Sequence, residues 1–199
     1  MVVQDTSTTG RRSRLSAERE QELFEAVLDH LREVGYEALT MDAVAARTRS
    51  SKATLYRQWH SKPHLVATAL RHGKPVRSAG IDTGTLRGDL VQFADGVCQS
   101  AEKDSALLRA VAFAQQSNEE LQQAMRQLLI EPELAAFQEL IDRAVARGEL
   151  PADIPAAKFV PHMMLGAMLA RPLIENAPVT SDYLVRYVDA VILPALHMN

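Results

Sequence analysis

Cysteine is almost absent from this 199-residue chain, where Cys98 stands alone. No intramolecular disulfide and no cysteine-based zinc site can form, so a reducing, intracellular compartment is the economical expectation and redox sensing by Cys98 is not expected. Aromatic residues are scarce at 5%, and runs with period-two alternation are missing, which argues against a core built on β-sheet. No segment approaches the ~20 consecutive apolar residues of a membrane span. The N-terminus lacks the apolar stretch of a secretory signal, so the expected location is cytoplasmic. There is also no carboxylate pair, Ser-His-Asp set, glycine-rich phosphate loop or metal-ligand spacing; no enzyme activity, cofactor or metal is expected. His60, His64 and His72 lie near one another in sequence, but no acid or cysteine completes a ligand set, and contact with solvent or phosphate is the expectation.

What is present is aliphatic. Hydrophobic residues make up 47% of the chain, with only nine glycines and nine prolines, a composition that points to an all-α protein. Formal net charge is −3 but unevenly spread: residues 1–75 hold twelve Lys/Arg against nine Asp/Glu, and the remainder ten against sixteen. A basic head (+3) therefore precedes an acidic body (−6), the distribution of a nucleic-acid reader with a separate sensing or assembly domain.

The most informative stretch runs from Thr40 to Lys62. Thr40 can cap a two-turn helix with Met41, Val44 and Ala45 at helical spacing and Asp42 in its first turn, where the macrodipole favours an acid. The run Arg47-Thr48-Arg49-Ser50 supplies poor helix formers and hydroxyls for a turn, and Ser51 caps a second helix to about Trp59. Leu55 and Trp59 share its inward stripe, leaving Lys52, Ala53, Thr54, Tyr56 and Arg57 on the other faces. Cationic, hydroxylic and small side chains suit phosphate oxygens and base edges, so this reads as a DNA recognition helix.

The wording Thr48-Arg49-Ser50-Ser51-Lys52-Ala53-Thr54-Leu55-Tyr56-Arg57-Gln58-Trp59-His60-Ser61-Lys62 resembles the DNA-binding domain of the TetR family of transcriptional repressors, usually close to A-G-V-S-K-G-T-L-Y-x-x-F-x-S-K. The resemblance implies base or phosphate contacts from Ser51, Lys52, Ala53, Thr54, Tyr56 and Arg57, and phosphate contacts from Thr40 and Lys62. One departure stands out: Arg49 occupies the usual glycine of the turn, where a residue with a side chain is costly at positive φ. Either the turn is remodelled or Arg49 bears the strain; its guanidinium beside DNA adds a candidate phosphate contact.

Residues 1–15 form an expected flexible basic arm ending in Arg11-Arg12-Ser13-Arg14, able to follow a minor groove or phosphates, with a solvated tail as the alternative. Residues 16–72 are the expected three-helix head and its fourth-helix extension. Its first helix runs from Ser16 to Val34 through Leu23, Phe24, Val27, Leu28 and Leu31, and Gly35 stops it; Ser61 caps the helix that starts at Lys62-Pro63. Residues 73–84 read as a linker. Residues 85–199 read as a helical ligand-binding and dimerisation domain, with one stripe over Leu86 to Val97, a separate short helix from Ala106 to Ala114, and a long helix from Asn118 to Arg147 kinked or split at Pro132. Its ending, Ala144-Val-Ala-Arg-Gly-Glu-Leu150, resembles a phrase common in TetR regulatory domains.

The last two helices, about 155–176 and 181–196, carry more apolar surface than one core needs. In the family this pair meets its twin as a four-helix interface, so a homodimer is implied. Phe93, Phe113, Gln115, Met125, Phe137, Met163 and Met168 are candidates to line an effector cavity, plain core being the alternative for each. The expected function is a dimeric repressor that places two heads in successive major grooves of a palindromic operator and is released by a small molecule. The alternative is a ligand-independent activator or nucleoid-type binder with the same head.

Overall fold

The computed structural model describes residues 16–73 and 78–197, with backbone only at 99–106, 108 and 109. The expected basic arm and residues 74–77 of the expected linker lie outside the described residues. Every element within them is helical.

Helix α1, Ala17–Ala38, starts where the Ser16 side chain accepts from the Arg19 amide, and buries Leu23, Phe24, Val27, Leu28 and Leu31. It runs past Gly35, which sits at φ 75° and interrupts the ladder; Tyr36 and Leu39 then close the core beneath it. Helices α2, Met41–Arg47, and α3, Lys52–Trp59, form the helix-turn-helix pair, and α4, Lys62–Gly73, packs its buried Leu65, Val66, Ala69 and Leu70 against α1.

Helix α5, Leu86–Ala114, is one continuous helix rather than the two expected from the stripes. Its apolar anchors fall in two different cores: Leu86, Leu90, Phe93 and Ala94 in one, Leu107, Val111 and Ala114 in the other. The segment between them carries no proline and a single glycine, Gly96, too little to break the helix, which continues through it without a stripe of its own. After a 3₁₀ turn at Gln115–Ser117 comes α6, Glu119–Met125.

A π turn at Arg126–Ile130 joins α6 to α7, Glu131–Ala146. Pro132 cannot donate to the carbonyl four residues back. The widened turn accommodates this, with the Glu131 amide reaching the Arg126 carbonyl, five residues back; the helix is carried through the proline instead of splitting. The same device recurs between α9, Ser181–Tyr187, and α10, Leu193–His197, where a π turn at Val188–Ile192 precedes Pro194 and the Leu193 amide reaches the Val188 carbonyl. Helix α8, Val160–Glu175, stands between α7 and α9.

Two cores result. The second gathers Ile81, α5 up to Ala94, Phe137, Leu140, Ile141 and Ala144 of α7, and inward residues of α8 to α10. The first unites the head with Leu107, Val111 and Ala114 of α5, Leu121, Ala124 and Met125 of α6, and Leu129. Packing therefore does not divide at residues 73–84, because α6 and the end of α5 complete the head's core.

The described part of the expected linker is pinned. Buried Ser78 donates its hydroxyl to Glu133 Oε2 at 2.8 Å, and Arg143 donates to the Ile81 carbonyl at 2.6 Å. Asp89, fully buried, accepts from the Thr83 amide and hydroxyl at 2.6 and 2.7 Å, with Arg147 3.5 Å from its other oxygen. The phrase Arg147-Gly148-Glu149-Leu150 gains a physical reading here. Gly148 takes φ 77° to end α7, Glu149 accepts from the Leu86 amide at the start of α5 and from Arg147, and Leu150 is buried. Among the described residues no helix is long and apolar enough to cross a membrane.

Candidate nucleic-acid interface

The helix-turn-helix is assembled by local hydroxyl chemistry. Thr40 caps α2 by accepting from the Ala43 amide at 3.2 Å, and Ser51 caps α3 by accepting from the Thr54 amide at 3.0 Å. Between them Thr48 is buried; its hydroxyl donates to the Val44 carbonyl at 2.8 Å, while its own carbonyl accepts from Arg19 of α1 at 2.5 Å. The turn keeps its geometry, so Arg49 bears the strain at φ 50°. His60 does the same at φ 60° on the far end of α3.

A left-handed conformation costs a residue with a side chain roughly 1–2 kcal/mol, while glycine returns about 0.5–1 kcal/mol through unfolded-chain entropy. Arg49→Gly is thus expected to stabilise the fold by about 0.5–1 kcal/mol, read as a higher urea midpoint. An unchanged or lower midpoint would mean that the arginine side chain offsets its backbone cost by packing.

Helix α3 is seated by Leu55, fully buried, and Trp59, whose ring meets Phe24 edge-on at 5.6 Å. Phe24 stacks in turn on His72 of α4 at 4.4 Å. That anchoring leaves Lys52, Ala53, Tyr56 and Arg57 exposed together, with Thr54 half-buried and its hydroxyl 2.8 Å from that of Ser51. Thr40, Arg49 and Ser51 are exposed as well.

The cations of the head fall into two groups. The guanidinium groups of Arg49 and Arg57 have no hydrogen-bond or ion-pair partner among the described residues. Others are engaged: Arg47 makes two bonds of 2.6 Å to Glu33 of α1, and Lys52 lies 2.8 Å from Asp42 of α2. Hydrogen bonding to Arg47 holds the Glu33 carboxyl below its ordinary range, and bonding to Asp42 raises the Lys52 ammonium. Lys62, expected as a phosphate contact, donates to the Tyr36 carbonyl at 3.0 Å and lies 4.3 Å over the Tyr36 ring. It ties the first turn of α4 to the joint between α1 and α2. Burial pushes the Tyr36 phenol up to about 12. Sequence reading missed the pairings made by Arg19, Asp42 and Glu33, because partners 10, 14 and 29 residues apart meet only once the helices cross.

The effector candidates are not brought to one place. Phe93 and Phe137 meet edge-on at 4.8 Å in the second core, with Met163 and Met168 packed against it. Met125 belongs to the first core. Gln115 is half-buried in the 3₁₀ turn, and Phe113 is 75% exposed because the inward stripe at that end of α5 is Leu107, Val111 and Ala114. None of the seven lines the open groove of about 390 Å³ bounded by Gln138, Ile141 and Val145 of α7 and by Ile154 and Lys158 ahead of α8.

Comparison with known proteins agrees with this architecture. Residues 22–69 match the family described as bacterial regulatory proteins, tetR family, and residues 81–191 match the tetracyclin repressor-like C-terminal domain. The chain is 33% identical over 177 residues to the DNA-binding transcriptional repressor TetR of Mycobacteroides abscessus, covering 88% of this chain and 92% of that protein. It is 35% identical over 178 residues to an uncharacterized HTH-type transcriptional regulator of Mycobacterium tuberculosis, covering 89% of this chain and 88% of the relative. Among solved structures, the TetR family transcription regulator SCO0332 superposes with a TM-score of 0.68 at 26% identity, covering 91% of this chain and all of that one.

Proposed function

The chain belongs to the TetR family of helix-turn-helix transcriptional regulators, DNA-binding proteins that are generally repressors rather than enzymes, and from that premise we propose that it is a dimeric repressor of a palindromic operator. Two copies of α3 enter successive major grooves about 34–36 Å apart. In each, Arg57, Tyr56, Thr54 and Ala53 address base edges and the adjoining phosphates, and Ser51, Lys52, Arg49, Thr40 and Lys62 hold the backbone. The second copy docks through α8 and the α9–α10 pair. A small molecule bound in the body favours a head spacing that no longer fits the operator, which requires it to bind the DNA-free form more tightly.

The observation that carries this reading is the two-sidedness of α3: Leu55 and Trp59 are buried while Lys52, Ala53, Tyr56 and Arg57 face solvent together. A selection of the purified protein against randomised duplexes is the test. Recovery of a palindrome with a steep salt dependence is expected, and absence of any enriched sequence would overturn sequence-specific reading. On the selected site Arg57→Ala should cost about 1–3 kcal/mol, against a smaller loss on random DNA; equal losses on both would leave Arg57 a phosphate contact only.

A further inference from the structure

Asp42 is an acid set into a surface otherwise suited to phosphates. It occupies the first turn of α2, two residues after the Thr40 cap, and its oxygens lie 2.8 and 2.9 Å from Nζ of Lys52, the first residue of α3. Both side chains are solvated, at 52% exposure for Lys52 and 70% for Asp42. The neighbouring cations Arg49 and Arg57 have no such partner among the described residues.

We propose that Asp42 is a specificity-determining residue: it withholds the Lys52 charge from loosely bound, non-cognate DNA and yields it only when the head is seated. This rests on the reading of α3 as the recognition helix. The physical argument concerns distance. In a non-specific complex the head is held by phosphate charge alone, across a layer of water and counterions. No DNA acceptor then comes within hydrogen-bond reach of Lys52, and the ammonium stays with Asp42. The head behaves as if it carried one cation fewer. On a cognate site the base contacts draw α3 down until a phosphate or base acceptor lies at hydrogen-bond distance. An exposed ion pair is weak enough to be exchanged for that contact, and Lys52 transfers. Asp42 thereby weakens wrong complexes more than right ones.

The proposal is tested with the full-length protein by titrating salt on a random duplex and on the selected operator, for the wild type, Asp42→Asn, Asp42→Glu, Lys52→Gln and the Asp42→Asn/Lys52→Gln double variant. Asp42→Asn is expected to steepen the log–log salt slope on random DNA by about 0.9, the value for one additional phosphate contact. Its affinity there should rise about three- to tenfold at the lower salt concentrations. On the operator, where Lys52 is already engaged, the slope should hardly move, so the ratio of specific to random affinity falls. Asp42→Glu should restore the wild-type slope, and the double variant should gain nothing over Lys52→Gln.

Equal gains on both DNAs, or none on either, would overturn the proposal. So would a parallel loss on both with a lower melting temperature, which would leave Asp42 merely a helix-capping acid. Failure of the underlying reading looks different: the wild type then has no preferred site, while the random-duplex slopes of the variants still report whether Asp42 restrains Lys52.

Discussion

Replacing Leu169 and Leu173 together with glutamate is expected to leave a folded protein that is monomeric and has lost about 10²- to 10⁴-fold of its operator affinity. Helix α8 has two faces. Val160, Met164 and Ala167 are buried against the body, whereas Leu165 (53%), Leu169 (51%), Leu173 (85%) and Ile174 (80%), with Phe159 (50%) just ahead of the helix, are exposed in a single chain. Gly166 offers open space on the same side, with nothing within 4 Å of where a Cβ would stand. An apolar face of this kind on a monomer marks an interaction site. In a two-fold interface each introduced carboxylate recurs on the twin helix, so four like charges meet where apolar surface would be buried. Because both positions are exposed, the fold itself should survive with near-native helicity. Sedimentation together with operator titration checks this: a variant that still sediments as a dimer would place the interface elsewhere, and a monomer that keeps full affinity would remove the need for two heads.

The second large effect is expected at Trp59. Its ring is 4% exposed and closes the first core against Phe24. Truncation of a buried tryptophan costs about 3–5 kcal/mol, which for a chain of this length is a fall in Tm on the order of 10 °C. The loss should not stay in the head, since the same core includes residues of α5 and α6. Chemical denaturation of Trp59→Ala is the measurement, and a loss below about 1 kcal/mol would mean that the ring contributes no more than a surface side chain. DNA binding should fail in the same variant, because α3 holds its reading face outward only while Leu55 and Trp59 are seated.

How legible the molecule was depended on the range of the forces involved. The caps were readable: Ser16, Thr40 and Ser51 accept amides three residues ahead, an interaction contained within one helical turn. Leu55 and Trp59 were placed inward by periodicity alone, and of the residues left over the structure exposes Lys52, Ala53, Tyr56 and Arg57 while Thr54 is half-buried. The stripes failed where one helix serves two cores, so α5 was read as two. At Pro132 a kink and a split both stood open, because the sequence registers the missing donor but not the π turn that absorbs it.

What the sequence by itself determined is the all-helical class, the helix-turn-helix with its outward and inward residues, and membership of the family, because each follows from short-range spacing and residue chemistry. Only the tertiary structure decided that α6 and the end of α5 complete the head's core, that Lys62 is bound to Tyr36, and that Asp42 faces Lys52. It also decided that Arg49 accepts left-handed strain while the turn stays intact. The physical reason is common to all four: each outcome turns on which helix faces are pressed together, and that choice is made by burial of the whole apolar surface at once, not by any pair of neighbours along the chain.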